Sequence, residues 1–176
     1  MRPCLFSPPQ RGTSMIEVLV TLVVVAFGLL GLANFVMRAN ASGVESNQRA
    51  RALALVTDMS ERIKNNRTAA AAYAGNTVHG AEQRDCNGTA AGPARDLCEW
   101  NNLLAGSNDA IQGQTDQALG FRGCVVQQFA TPPLYIVTVA WGSITPGPAP
   151  SDPCASGSFG DDSYRRVVRS NVRIAL

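Results

Sequence analysis

The sequence predicts an α+β protein in which a long N-terminal helix packs on a small antiparallel β-sheet. Residues 18–37 carry no charge, and an apolar helical pattern continues beyond Arg38. The last third of the chain shows the two-residue alternation of half-buried strands. We therefore expect the first half of the helix to be apolar on all sides and the second half to be amphipathic.

The uncharged run has the length of a membrane-spanning helix. Its twenty residues match the number that crosses a hydrocarbon core of about 30 Å. Glu17 stands directly before the run and Arg38 closes it. A carboxylate costs about 3 kcal/mol at the centre of a bilayer and less near its edge. Glu17 therefore indicates a function, because a plain membrane anchor does not need it.

Two ordinary interpretations of this N-terminus are open. A cleaved secretory signal would use Ala39-Asn40-Ala41 as its A-x-A site. However, the apolar run exceeds the usual core of about 7–15 residues, and Arg38 lies just before that cut. An uncleaved single-span anchor explains the length of the run, but it does not explain Gly12, Thr13 or Glu17.

A third interpretation rests on the motif Gly12-Thr13-Ser14-Met15-Ile16-Glu17 and the apolar run that follows it at once. This motif resembles the class III signal of type IV pilins. The resemblance implies that residues 1–12 are a leader, and that prepilin peptidase cuts between Gly12 and Thr13 and methylates the new amine of Thr13. It also implies that Glu17 is the family glutamate, which pairs with the amine of a neighbouring filament subunit. Many pilins have phenylalanine at the position of Thr13, where minor pilins vary.

The same resemblance implies a pilin-like fold and a location. Residues 13–37 would be the transmembrane and filament-core helix, residues 38–66 its amphipathic periplasmic half, and residues 67–176 a periplasmic α+β domain. The implied location is the bacterial inner membrane, in a single pass with a cytoplasmic N-terminus, followed by the pilus fibre. The implied partners are prepilin peptidase, other minor and major pilins, and the inner-membrane assembly platform.

The pattern beyond Arg38 predicts that the helix continues to about Asn66. Two charge pairs at i,i+4 spacing, Glu45/Arg49 and Asp58/Arg62, would support it. A helix over residues 14–66 would be roughly 80 Å long. The positions that recur at three- and four-residue steps are Ala41, Val44, Gln48, Ala52, Leu55, Val56, Met59 and Ile63.

The remainder of the chain predicts one short helix and three strands. Residues 68–93 are rich in small and polar residues and are interpreted as a loop with little core. Pro93 starts a helix that Gly106 stops, with Trp100 as its packing anchor. Leu97, Leu103 and Leu104 share its apolar side. The predicted strands are residues 121–129, 134–141 and 164–176, with an irregular loop at residues 146–153 before the last. In that last strand Val168, Val172 and Ile174 face one way, and Arg165, Arg169, Asn171 and Arg173 the other.

Four of the five cysteines lie beyond the apolar run, at Cys86, Cys98, Cys124 and Cys154. They indicate an oxidising compartment and two disulfides, for which three pairings exist. We favour Cys86–Cys98 and Cys124–Cys154, because each closes a local, loop-rich segment. A zinc site is the weaker alternative, since the chain has no C-x-x-C pair and a single histidine.

Further segments narrow the resemblance to the minor pilins. They are the D-L-x-x-W pattern Asp96-Leu97-Cys98-Glu99-Trp100, the V-T-V-x-W pattern Val137-Thr138-Val139-Ala140-Trp141, and the closing Arg165-Arg166-Val167-Val168-Arg169. The resemblance implies a subunit of low abundance that helps to initiate or modify pilus assembly, with effects on adhesion and twitching motility. A pseudopilin of a type II secretion system is the nearest alternative.

Two other function classes are less favoured. A membrane-tethered enzyme would need a nucleophile and a base, yet His79 is expected to be a solvated loop residue and no G-x-S-x-G motif exists. Calcium binding by Asp161-Asp162 is not expected, nor is any cofactor. Without residues 1–12, thirteen basic residues balance thirteen acidic ones, so nucleic acid is not an expected partner. The four arginines Arg165, Arg166, Arg169 and Arg173 are the one candidate basic stripe, as in minor pilins that take up DNA.

Overall fold

The structure, a computed structural model, describes residues 14–106 and 120–174. The chain divides into two compact units, Met1–Ser42 and Gly43–Leu176. Helix α1 (Met15–Asn65) belongs to both units. The second unit also contains a 3₁₀ helix (Arg67–Tyr73), helix α2 (Pro93–Leu104) and the strands β1 (Arg122–Ala130), β2 (Pro133–Gly142) and β3 (Arg165–Arg173). The α+β prediction is confirmed.

Helix α1 begins and ends within one residue of the predicted limits. At its start, the carbonyl of Ser14 accepts a hydrogen bond from the backbone N–H of Glu17 at 3.0 Å. Proline is absent from residues 15–65, so nothing interrupts the helical hydrogen bonds. At its end, Asn66 has φ −116° and ψ 53°, which is outside the helical range.

The hydrophobic core lies in the second unit, between α1 and one face of the sheet. Ala52, Val56, Met59 and Ile63 of α1 are buried there, as the helical pattern predicted. They pack in one cluster with inward residues of all three strands, Val125, Val137, Val139 and Val172. The earlier positions of the stripe are less covered, since Val44 is 47 % exposed.

The segment after α1 corrects the sequence analysis. Residues 68–93 were predicted to be a loop with little core, but Arg67–Tyr73 forms a 3₁₀ helix, kinked at Ala69, that buries Ala70 and Tyr73. The prediction was wrong because it was drawn from the small residues that dominate the segment, whereas one large residue, Tyr73, carries the packing. Tyr73 is 1 % exposed and belongs to the main core.

Helix α2 covers the predicted residues, with Pro93 in its first turn. Trp100 is fully buried, and its Nε1 donates a hydrogen bond to the carbonyl of Leu55 at 3.0 Å. Trp100 is therefore confirmed as the packing anchor, and it ties α2 to α1. Gly123 lies under its ring, where a Cβ atom would overlap Cη2 of Trp100.

The sheet is antiparallel throughout the described residues, in the order β1–β2–β3. In register, Val125 lies opposite Val137, and Val139 lies opposite Val168. The first two strands match their predicted limits within one residue, whereas β3 ends at Arg173. The alternation in β3 is confirmed for Val172, which is buried while Arg173 is exposed.

Arg165 is the exception to that alternation. It was predicted on the solvated face of β3, but it is 1 % exposed. The loop that precedes β3 covers this end of the outer sheet face, where Cys124, Ala140, Cys154 and Ala155 form a second cluster. The guanidinium of Arg165 donates to the carbonyls of Asp152 and Cys154 at 2.8 and 2.9 Å. A period-two pattern reports which face a residue points to, and it does not report what covers that face.

Candidate functional site

The most distinctive functional feature is the apolar part of α1 in the first unit. The large apolar side chains between Met15 and Met37 are 47–85 % exposed. By length and composition, α1 is the one helix among the described residues that is long and apolar enough to cross a membrane. So much contiguous apolar surface is unfavourable in water, and such surfaces mark contacts with membranes or other proteins.

The two polar side chains inside this run form hydrogen bonds with backbone carbonyls of the same helix. The hydroxyl of Thr21 donates to the carbonyl of Val18 at 2.8 Å. The amide nitrogen of Asn34 donates to the carbonyl of Leu30 at 3.2 Å. Hydrocarbon offers no hydrogen-bonding partners, so these internal bonds lower the cost of placing both groups in a bilayer.

Glu17 is the charged group at the start of this segment. It lies in the first turn of α1, where the positive end of the helix dipole favours a carboxylate. No described residue forms an ion pair with it. At 3.6 residues per turn, Thr21, Gly28 and Gly31 lie within an arc of about 80° that includes Glu17. A Cβ atom at Gly28 or Gly31 would meet nothing within 4 Å, so this face is open for the close approach of another helix.

The processing residues predicted from the resemblance are Gly12 and Thr13. Gly12 and Thr13 lie outside the described residues. Cleavage between them and methylation of Thr13 stay predictions.

The cysteines form the favoured pairs, Cys86–Cys98 and Cys124–Cys154, with Cα–Cα distances of 5.8 and 5.9 Å. The first disulfide attaches residues 84–89 to α2. The second attaches the loop before β3 to β1, as the sequence analysis expected for Cys154. All four of these sulfur atoms are therefore in disulfides.

A charged cluster connects α1, α2 and the 3₁₀ helix of residues 67–73. Arg62 donates to Asp58 at 3.0 Å, to Asp96 at 3.1 Å and to Glu99 at 2.9 Å. The hydroxyl of Tyr73 donates to Asp96. Burial and this hydrogen bond raise the pKa of Tyr73 to about 12. Only the Asp58/Arg62 pair was expected from spacing, because the pairs to α2 are distant in sequence.

Glu45 has other partners than the predicted Arg49. Its carboxylate accepts hydrogen bonds from the hydroxyls of Ser143 and Thr145, at 3.2 and 3.5 Å. It also lies 3.6 Å from Nε of Arg166. Glu45 therefore connects this part of α1 to the end of β2 and the start of β3.

The prediction for His79 was also wrong, since His79 is 7 % exposed and not solvated. Its backbone pairs with Gly123 through two hydrogen bonds of 2.8 and 3.0 Å. Its ring lies 5.8 Å from that of Trp100. Nδ1 is buried and has no partner in the described part of the chain. Burial, with a smaller contribution from Arg84, lowers the pKa of His79. The small residues around His79 in sequence gave no signal of this backbone pairing.

The acidic pair Asp161-Asp162 holds its own loop together. Asp161 accepts from the backbone N–H of Ser163 at 2.8 Å. Asp162 accepts from Arg165 at 3.0 and 3.1 Å and from Ser156 and Gly157 at 2.6 and 3.0 Å. The hydrogen bond from Arg165, followed by that from Gly157, holds the pKa of Asp162 well below its usual value.

The four arginines of β3 do not form one basic stripe. Arg165 is buried beside Asp162. Arg166 lies beside Glu45, and it donates to the carbonyls of Ser163 and Thr145 at 2.8 and 2.6 Å. Arg169 and Arg173 are exposed, and no described carboxylate forms an ion pair with them. The basic patch is thus half the size that the sequence suggested.

No protein-family model, curated protein or solved structure matches this chain. The resemblance to pilins therefore rests on the sequence motifs alone.

Proposed function

We propose that this protein is a minor pilin of a type IV pilus, a filament subunit that helps to initiate or modify pilus assembly. The observation that carries the proposal is the run of exposed apolar side chains on α1 that starts at Glu17. A membrane anchor accounts for the apolar side chains. It does not account for a carboxylate and two glycines on one face.

Assembly uses each of these features. The apolar helix first resides in the bacterial inner membrane, with its N-terminus cytoplasmic and residues 67–176 in the periplasm. When the subunit leaves the bilayer, helices of other pilins replace the lipid. A carboxylate enclosed among apolar helices needs a cationic partner. The methylated amine of Thr13 in an adjacent subunit supplies that cation, and Glu17 thereby sets the register between subunits.

Two sequence segments narrow the proposal to one kind of minor pilin. The D-L-x-x-W segment of α2 and the V-T-V-x-W segment of β2 are similar to the minor pilin PilV, the type IV pilus modification protein. The similarity supports a role with other minor pilins in priming assembly near the tip, with effects on adhesion and twitching motility. Prepilin peptidase and the inner-membrane assembly platform would be the further partners.

A pseudopilin of a type II secretion system is the alternative. It would have the same apolar helix, so α1 does not separate the two. The two disulfides and the loop that Cys124–Cys154 fastens favour the pilus subunit. Enzymatic activity and DNA uptake find less support, because His79 is packed in the core and two of the four arginines are neutralised by carboxylates.

The first test replaces Glu17 by alanine in the native bacterium. We expect Glu17→Ala to reach the membrane in normal amounts, because the hydrophobic core lies in Gly43–Leu176, and to be nearly absent from sheared filaments. Thr21→Ala is the matched control on the same helix face, and we expect it to be incorporated normally. Wild-type incorporation of Glu17→Ala would contradict the proposal.

A second test examines processing. The intact mass and N-terminal sequence of the membrane protein should show a methylated Thr13 as the first residue. A start at Ser42 would indicate a secretory signal, and an unprocessed chain a plain anchor. Gly12→Asp should retain the leader. Normal processing of that variant would refute the proposed cut.

A further inference from the structure

The chain contains three Asn-x-Ser/Thr tripeptides, beginning at Asn40, Asn66 and Asn87. This pattern is the acceptor for N-linked glycosylation of surface loops outside the cytoplasm. The tripeptide must be exposed and free to fit the active site of a transferase, so the pattern alone does not show which asparagine is used. The structure separates the three.

Two of the tripeptides are held in regular structure. Asn40 and Ser42 lie inside α1, where helical hydrogen bonds fix the backbone. The amide nitrogen of Asn66 donates to the hydroxyl of Tyr73 at 3.3 Å. Thr68, the third residue of that tripeptide, lies in the 3₁₀ helix that follows. Neither site presents a free amide on a loop.

Asn87 is different, because it is exposed at the centre of a turn. The backbone N–H of Thr89 donates to the carbonyl of Cys86 at 3.1 Å, which closes the turn over Asn87 and Gly88. Among the described residues, none forms a hydrogen bond with the side-chain amide of Asn87 or the hydroxyl of Thr89. Within the described part of the chain, neither of the two groups on which acceptor recognition depends is therefore held by a hydrogen bond.

The turn is joined to α2 by a disulfide and by hydrogen bonds. Cys86 is bonded to Cys98 of α2. The side chain of Asn102 accepts from the N–H of Arg84 and donates to its carbonyl, both at 2.7 Å. Asp85 accepts from the backbone N–H of Asn87 at 2.9 Å, so a carboxylate lies two residues before the asparagine. Since Asp85, Asn87 and Gly88 are all exposed, a bulky group at Asn87 would displace no core side chain.

We propose that Asn87 is an N-linked glycosylation site. The donor class is an oligosaccharide linked to a lipid diphosphate, used by a membrane transferase in the oxidising compartment that the two disulfides indicate. The amide nitrogen attacks the anomeric carbon, and the carbon–nitrogen bond forms as the bond from that carbon to the diphosphate oxygen breaks. The lipid diphosphate leaves with the electron pair, and the amide proton passes to a base of the transferase.

The test is the intact mass and peptide fragmentation of the full chain from its native membrane. We expect a sugar-sized mass increase on the peptide that contains Asn87. Asn87→Gln and Thr89→Ala should abolish it, and Thr89→Ser should keep it. Asn66→Gln and Asn40→Gln are the matched controls, and we expect both to stay modified at Asn87.

An unmodified Asn87, or Asn87 converted only to aspartate or isoaspartate, would overturn this proposal. The same sample reports separately on the pilin proposal, because that proposal depends on the residue at which the mature chain starts. A glycan on Asn87 with a start at Ser42 would support the modification site and reject the filament subunit. A Thr13 start with a bare Asn87 would do the reverse.

Discussion

At the scale of single residues, Gly123 is the described glycine at which an added Cβ atom would come closest to another atom. A Cβ atom there would overlap the Trp100 ring and lie 2.7 Å from Cδ1 of Leu104. Both neighbours are fully buried. We expect Gly123→Ala to lower the free energy of unfolding by about 1–3 kcal/mol, the usual cost of overpacking. Urea unfolding of the detergent-solubilised chain measures it.

Gly75→Ala is the matched control for this substitution. A Cβ atom at Gly75 would lie 4.0 Å from its nearest neighbour, the backbone nitrogen of Thr77. We expect a change within about 0.5 kcal/mol. If both variants unfold at the same urea concentration as the wild type, the proposed packing of Trp100 on Gly123 is wrong.

His79 predicts a pH dependence near neutrality. Its pKa in the folded chain lies below the ordinary value of 6.5, so between these two pKa values the unfolded chain binds more protons than the folded chain. The contribution of neutral His79 to stability is therefore complete above pH 6.5, and it is lost as the pH falls towards the pKa of the folded chain. The pKa values of Glu99 and Asp162 are also depressed, but from ordinary values of 4.5 and 3.8. Their contributions are lost only in more acidic solution.

The measurement is the thermal midpoint between about pH 7.5 and 5.5. The wild-type midpoint should fall across this range. His79→Leu should flatten the curve, because a neutral apolar side chain has no proton to bind. An equally steep curve in the variant would assign the pH dependence to other groups.

At the scale of elements, the two disulfides should differ in how much they contribute to the free energy of unfolding. Cys124–Cys154 joins residues 30 apart and Cys86–Cys98 joins residues 12 apart. In the chain-entropy model the longer loop contributes about 3.5–4 kcal/mol and the shorter about 3 kcal/mol. We expect the double alanine variant of Cys124 and Cys154 to be the less stable of the two in urea.

A structural consequence accompanies that loss. The loop fastened by Cys124–Cys154 covers Arg165, whose guanidinium bonds to the carbonyls of Asp152 and Cys154. Limited proteolysis should therefore cut after Arg165 in the double variant and leave the wild type intact there. Cleavage of neither chain at Arg165 would show that the loop stays in place without the disulfide.

Element identity was largely predictable from the sequence, because periodicity and breaker residues are local signals. The three-to-four-residue spacing of Ala52, Val56, Met59 and Ile63 gave the packed face of α1, and Pro93 gave the start of α2. What was missed depends on contacts between distant segments. Arg165 is buried by a loop that a disulfide fastens, and His79 is buried because its backbone pairs with Gly123.

The parts of the candidate site that depend on local sequence signals were also predictable. An apolar run with Glu17 at its start is readable from consecutive residues, as is the cysteine spacing that favoured the observed pairs. The cluster around Arg62 was not, because Asp96 and Glu99 reach it from another helix. The separation of the β3 arginines into bound and exposed residues also required the fold.

At the scale of the whole molecule, the described core lies within one unit. The first buried apolar residue in the described part of the chain is Ala52, so all the buried apolar residues described belong to Gly43–Leu176. We therefore expect a chain of residues 38–176 to be soluble and folded without detergent. Circular dichroism should show a cooperative thermal transition, close to that of the full chain.

A shorter chain is the matched control. Residues 61–176 lack Ala52, Val56 and Met59, each at most 2 % exposed, and this chain should show no cooperative transition. If residues 38–176 also failed to fold, the core would need the apolar run of residues 18–37, and the separation into two units would not hold in solution.

The chain has two tryptophans, and Trp100 and Trp141 are 0 % and 4 % exposed. Both indole rings belong to the same apolar cluster. We therefore expect their emission to lie at short wavelength, as for indole in an apolar environment, and to shift to the red when unfolding exposes the rings to water. The protein thus carries its own optical probe, with no dye attached, and the apolar run of residues 18–37 adds no signal because it contains no tryptophan.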